Sequence, residues 1–184
     1  DGVMMDSNVI VNVLIDIRGR LEAKGLPKRA RASFGVSGPS VIIKKIALST
    51  MTPEELREAI PWEAEQYIPF DINDVNVDAQ ILNPERSQQG DMEVLLVATR
   101  KEMISDYTAV VAEAGFVPVI ADINCFAMEN AFDDIHPDRP DGTTVLIDVG
   151  ASSSSINILA NGVTAFTRDF SMGAGLSSAC TATR

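Results

Sequence analysis

Apolar residues near the start of the chain recur at three- and four-residue steps. Val9, Val13, Leu14, Ile17 and Leu21 would share one face of a helix. Asp6 or Ser7 is placed to cap its start, and Gly25 to stop it. "RASFGV" and "VIIKKIAL" predict strands joined by the turn Ser37-Gly-Pro-Ser40. Thr52-Pro-Glu-Glu55 reads as the opening of a second helix. Thr52 caps the amide of Glu55, Glu55 reaches back, and Pro53 suits the first helical position. Leu56, Ala59, Ile60, Ala64, Tyr67 and Ile68 carry the helical period on to Pro69. Pro61 interrupts it, because an internal proline removes a hydrogen bond and clashes with the preceding turn, at about 3 kcal/mol. A kink there, or a restart at Trp62, is expected.

"VNVDAQIL" alternates and places Val75, Val77, Ala79 and Ile81 on one face of a strand. "NPERSQQGD" reads as a polar hairpin loop and "MEVLLVAT" as the next strand. Residues 101–114 form a predicted helix with Met103, Tyr107, Val110, Val111 and Ala114 inward, closed by Gly115. "FVPVIAD" predicts a strand, "NCFAMENAFDD" a short helix, and "IHPDRPDG" a loop dense in turn residues. Three strands follow at short spacing: "TTVLIDVG", "SSINILA" and "VTAFTRDF". A serine tract joins the first two. Asn161-Gly162 joins the second and third, and is the strongest short hairpin signal a sequence offers. The whole is mixed α/β, of the α+β kind, without internal repeat. A composition change near 136–143 suggests a domain boundary.

Composition narrows the function. A chain of 184 residues, 46% hydrophobic, suits one domain or two small ones. No apolar run reaches the roughly 18 residues that span a bilayer, and the acidic start has no signal-peptide pattern. Cys125 and Cys180 are too few for a disulfide framework and read as small buried hydrophobes. A reducing, cytoplasmic setting is the default. The net charge of −11 is uneven: residues 1–45 carry +4 and the remainder −15. An acidic body argues against general nucleic-acid binding. The basic start is a solvated helix face or a surface for an anionic membrane or an acidic partner. His136 lacks neighbours at ligand spacing, so a metal site is not expected. Glu63, Glu65, Asp71 and Asp74 come without a nucleophile or oxyanion pattern and read as a solvated face. Trp62, Tyr67 and Phe70 read as core.

Asp148-Val-Gly-Ala-Ser-Ser-Ser154 carries the candidate chemistry. A strand ends in an acid, and Gly150 allows a tight turn and close approach to a ligand. Consecutive turn amides form a concavity that favours anions, and serine hydroxyls add donors. An acid at the strand end can hold hydrated Mg²⁺ beside phosphates. A flexible linker is a poor reading for a tract between two strands that pair tightly.

"VLIDVGAS", with "INIL" and "FTRDFSMG" after it, resembles the second phosphate loop of the actin/Hsp70/sugar-kinase superfamily. The stretches "MTPEELREAIPWEAEQYIPFDINDVNVDAQIL" and "MEVLLVATRKEMISDYTAVVAEAGFVPVIADINCFAMENAF" resemble the PilM family, actin-like proteins of type IV pilus assembly related to the division protein FtsA. The likeness runs to about Gly173, and "WEAEQYIPF" is its most specific block. The resemblance implies an actin-like (ribonuclease H-like) fold with an extra subdomain of the FtsA/PilM type at 39–121. Residues 1–38 would be part of the first actin-like subdomain, 122–141 its return helix and loop, and 142–184 the start of the second.

It further implies an ATP-binding scaffold, peripheral at the cytoplasmic side of the inner membrane, with weak or absent ATPase activity and no other catalysis. ATP phosphates would meet Gly150, Ala151, Ser152 and Ser153, and Asp148 would hold Mg²⁺ through water. The implied partners are the N-terminal cytoplasmic tail of PilN and other inner-membrane assembly components. The tail's groove would be bordered by Trp62, Tyr67 and Phe70. A type II secretion (GspL-like) cytoplasmic domain and a small-molecule kinase of the same superfamily are the alternatives. The family's N-terminal strand pair, first phosphate loop and adenosine-binding part have no counterpart here. "SMGAGLSSACTATR" lacks the expected Gly-Asn and helix start, and Pro61 replaces a helix-friendly residue. An excerpt of a longer protein, with poor ATP affinity on its own, is therefore expected.

Overall fold

The computed structural model describes residues 6–82, 91–138 and 141–175. Helix α1 (Ser7–Glu22) starts where Asp6 accepts from the amide of Val9 at 3.3 Å. The stripe expected to be buried is not: Val9, Val13, Ile17 and Leu21 stay exposed, while Val11 is buried and Leu14 and Arg18 are half-buried. Residues 9, 10, 11, 13, 14, 15 and 17 are all aliphatic. Apolar side chains thus cover most of the helix circumference, and periodicity alone cannot select the packed face.

That face meets helix α3 (Lys101–Glu113). Arg18 Nη1 donates to the carbonyl of Ala114, the C-cap of α3, at 2.7 Å, and Glu22 lies 3.2 Å from Arg18 Nε. A cation at a helix C-terminus is favoured by the unpaired carbonyls and the helix dipole. Gly115 follows with φ +88 and no room for a Cβ beside the Arg18 guanidinium. Strand β1 (Arg31–Val36) pairs with β5 (Val117–Ile123), and Phe34 stacks on Tyr107 of α3 with ring centroids 5.9 Å apart.

The turn after β1 does not make a hairpin. Strand β2 (Val41–Ser49) joins a separate antiparallel sheet of order β2-β4-β3, with β4 (Asp91–Arg100) central and β3 (Val75–Ile81) at the other edge. The period-two reading holds in the register. Ile46, Val94 and Ile81 sit side by side, as do Leu96 and Ala79. Helix α2 (Pro53–Ala64) covers this face with Leu56, Ile60 and Ala64; Ile68 follows, and Met92, Val94, Leu96 and Ala98 complete the core. The loop read as "NPERSQQGD" lies almost wholly outside the described residues.

The capping box of α2 forms as expected. Thr52 N donates to Glu55 Oε2 at 2.7 Å, and Glu55 N donates to Thr52 Oγ1 at 3.2 Å. Pro61 neither stops nor restarts the helix, which runs through it to Ala64. Pro61 is exposed, and so is Arg57, whose carbonyl loses its intrahelical donor. Water can satisfy that carbonyl, so the proline costs little in structure there.

The chain divides into two compact units, one carrying the described residues up to Ala121 and the other beginning at Asp122. The second unit holds helix α4 (Asn124–Ile135) and the antiparallel sheet β6 (Thr143–Val149), β7 (Ser154–Ala160) and β8 (Val163–Phe170). Residues 136–143, where the composition changes, lie inside this unit between α4 and β6. The division of the chain falls at 121/122 instead, because α4 is hydrogen-bonded to β7 and β8. Asn161-Gly162 turns the β7–β8 hairpin with φ +51 and +81, as a two-residue hairpin turn requires. Leu146, Ser155, Asn157, Leu159 and Thr164 are buried in this unit, whereas Val145, Ile147, Val149 and Phe166 are exposed.

Candidate functional site

The acid, the glycine and the serines stand where the sequence puts them, at the turn between β6 and β7. The register sets Asp148 opposite Ser155 and Ser155 opposite Asp169, so the two acids flank a buried serine on one face of the sheet. Asp148 itself is exposed, as are Ala151, Ser152 and Ser153. The turn is tight: Gly150 N donates to Ser153 O at 2.9 Å, and a Cβ on Gly150 would stand 2.7 Å from that oxygen. Only glycine fits.

This geometry corrects one part of the expectation. The Gly150 amide is engaged within the turn and cannot also serve a phosphate. Among the described residues the amides of Ala151, Ser152 and Ser153 have no partner, and the hydroxyls of Ser152 and Ser153 are solvent-accessible. Three amides without a partner among the described residues, two hydroxyls and a carboxylate are a set of groups that suits a phosphate with a hydrated divalent cation.

A second anchor of the turn is absent from the sequence reading. The chain after β8 folds back on it: Ala174 N donates to Gly150 O and Gly175 N to Ala151 O, each at 2.9 Å, while Ser154 Oγ donates to Met172 O at 2.7 Å. A Cβ on Gly173 would stand 2.5 Å from Gly150 O, and one on Gly175 2.7 Å from Ala151 O. The Gly-x-Gly spacing at 173–175 was the available signal. Its target, more than twenty residues upstream, could not be read from it.

In the first unit, the three aromatic residues read as core part company. Trp62 is 76% exposed, which corrects its assignment to the core. Trp62 lies within α2, two residues from both Ile60 and Ala64, and so on the face opposite the buried one. Tyr67 and Phe70 do pack against the core of the β2-β4-β3 sheet. Lys44 Nζ stands 6.0 Å from the Tyr67 ring centroid, and Arg100 Cζ lies 4.4 Å over Phe70. Phe70 lines a partly open cavity of about 460 Å³ with Pro69, Asp71, Asp74, Arg100 and Lys101. Of the three, Phe70 alone borders this cavity.

Cys125 is buried, as expected of a small hydrophobe; Cys180 lies outside the described residues. Burial pushes the Cys125 thiol up, and the Asp169 and Glu129 carboxylates add to the shift against a hydrogen bond with Thr167. No group of three or more metal-ligating side chains occurs among the described residues. Nor is any described helix long and apolar enough to cross a membrane.

Residues 2–180 match the sequence model of the family described as type IV pilus assembly protein PilM. The chain belongs to that family. Among solved structures it is similar to a chain of the PilM–PilN type IV pilus biogenesis complex, at 27% identity and a TM-score of 0.79, covering 95% of this chain and 51% of that one. It also resembles the cytoplasmic domain of EpsL, an inner membrane component of the type II secretion system of Vibrio cholerae. That likeness, at 12% identity, has a TM-score of 0.59 and covers 88% of this chain and 56% of the other. The chain thus spans little more than half the length of either. The mixed α/β fold is shared with both.

Proposed function

We propose that this PilM-family chain is part of an actin-like, ATP-binding scaffold that grips the N-terminal tail of PilN on the cytoplasmic side of the inner membrane. The observation that carries the reading is its likeness, over 95% of its length, to a chain solved in a PilM–PilN complex. The EpsL likeness is weaker in both identity and TM-score, so the type II secretion reading stands second. In the proposed layout, residues 39–121 form the extra FtsA/PilM-type subdomain and 142–184 open the second actin-like subdomain.

ATP with Mg²⁺ would supply a charged group that closes the protein around its own phosphates. The residues present fit that role. Asp148 is an exposed carboxylate able to orient metal-bound water, and Ala151, Ser152 and Ser153 offer amides and hydroxyls. Gly150 shapes the turn rather than contacting the ligand. Closure acts as a switch only in so far as the closed form binds the tail more tightly. The tail site is assigned to the Phe70 cavity, with Tyr67 and Trp62 as outlying contacts. Large exposed aromatics and arginines dominate such interfaces, and Arg100 stacked on Phe70 supplies that pairing.

A synthetic peptide of the PilN N-terminal tail, titrated against the full-length protein by fluorescence anisotropy, tests the assignment. Saturable binding that weakens at least tenfold in Phe70→Ala is expected, since a central anchor contributes about 2 kcal/mol or more. Binding unaffected by Phe70→Ala would remove the site. Transfer of phosphate to a small molecule would remove the scaffold reading.

A further inference from the structure

We propose that Glu129 is a positioning residue for the 150–153 turn, acting through the register of β7 against β8; the inference rests on the reading of that turn as a phosphate site. Glu129 lies on α4, and its single oxygen Oε2 accepts from two strands at once. Asn157 Nδ2 of β7 donates to it at 3.1 Å, and Thr164 Oγ1 of β8 at 2.7 Å. Asn157 Nδ2 also reaches the carbonyl of Cys125 at 3.4 Å. Asn157 is 0% exposed, Thr164 is buried, and Asn157 Oδ1 has no partner. Polar side chains this deep are costly to leave unpaired, and bonds to a carboxylate are the stronger kind.

The placement of the two donors matters. The β7–β8 ladder shifts register between Ile158 and Leu159. The Asn161-Gly162 turn sets the register at the hairpin's closed end, and the irregularity interrupts the ladder between that end and the 150–153 turn. Asn157 and Thr164 stand on either side of it, so Glu129 ties the two strands together across the interruption. Both strands lead to the turn. Strand β7 begins at Ser154, immediately after it. Strand β8 leads to Met172, whose carbonyl holds Ser154 Oγ, and then to Ala174 and Gly175, whose amides hold the carbonyls of Gly150 and Ala151. A one-residue slip of β8 past β7 would move the 173–175 tether by about 3.4 Å and break those bonds. The turn's shape therefore depends on a carboxylate that does not touch it.

The test compares Glu129→Met, which removes the acceptor, with Glu129→Gln, which keeps the shape and one oxygen acceptor. Amide hydrogen exchange by NMR in the full-length protein reads the bonded amides of Gly150, Ala174 and Gly175. MgATP affinity is measured in parallel. In Glu129→Met these three amides exchange about tenfold faster or more, while those of the β2-β4-β3 sheet keep their rates. Glu129→Gln falls between Met and wild type, and MgATP affinity follows the same order. A role in stability alone would accelerate exchange everywhere together. Unchanged exchange at the three amides in folded Glu129→Met overturns the proposal; should that variant fail to fold, unchanged exchange in Thr164→Val, which removes one of the two donors, overturns it equally. If wild type binds no MgATP, the phosphate reading fails while the exchange result still decides the role of Glu129.

Discussion

Single residues carry three of the fold's decisions, each through different chemistry. Thr52 satisfies an orphan amide at the start of α2, and Glu55 returns the bond. The backbone amide of Thr52, with its hydroxyl, holds the Glu55 carboxyl below its ordinary value of 4.5. A folded pKa below the unfolded one stabilises the folded state above that unfolded value. The contribution fades as the pH falls through the folded value. Thr52→Ala is expected to lower stability by about 1 kcal/mol at pH 7 in urea unfolding. The carboxyl's share is read with Glu55→Gln, whose difference from wild type should shrink below pH 4.5, as Glu55 takes a proton. Gly115 permits a left-handed backbone and leaves room for Arg18 to reach Ala114. Gly115→Ala should cost roughly 1–2 kcal/mol for the backbone alone, and more once the guanidinium is displaced. Arg18→Met in the Gly115→Ala background would lose little beyond that, so a double-mutant cycle reads the coupling. Glu129 works at longer range, through the strands that it joins.

At the scale of elements, the local signals were legible and the long-range ones were not. The capping box, the period-two strands and the Asn161-Gly162 hairpin depend on residues within a few positions of each other, and each forms as read. The buried face of α1 was hidden because nearly every side of that helix is apolar. Trp62 reads as core by its aromatic character, but it stands on the face of α2 opposite Leu56, Ile60 and Ala64. At the candidate site, Asp148 and the 150–153 turn were legible from an acid, a glycine and serines between strands. The engaged Gly150 amide and the return of 173–175 were not, since both depend on where a later strand ends. The contrast gives a paired expectation. Leu96, 0% exposed at the centre of the β2-β4-β3 core, should cost roughly 2–5 kcal/mol as Leu96→Ala. Trp62→Ala should leave stability within about 0.5 kcal/mol, because its side chain is solvated. Equal losses in thermal unfolding would contradict the placement of Trp62 outside the core.

On the scale of the whole molecule, two units carry two different capacities. The first presents a cavity built around an arginine stacked on a phenylalanine. The second presents a glycine-tightened turn of exposed residues beside an exposed aspartate. The chain belongs to the PilM family, and the proposed reading gives these features one setting, the assembly of a type IV pilus. In the proposed scaffold, nucleotide held at the second unit governs the protein's hold on a membrane protein's tail. Its central claim is that Asp148 and the turn after it bind the phosphates. The most direct measurement is a calorimetric titration of MgATP into the full-length protein and into Asp148→Ala. The account predicts at least tenfold weaker binding in the variant, with unfolding temperatures alike, because an exposed strand-end carboxylate contributes to the ligand and little to the fold. MgATP affinity equal in the two proteins would contradict it.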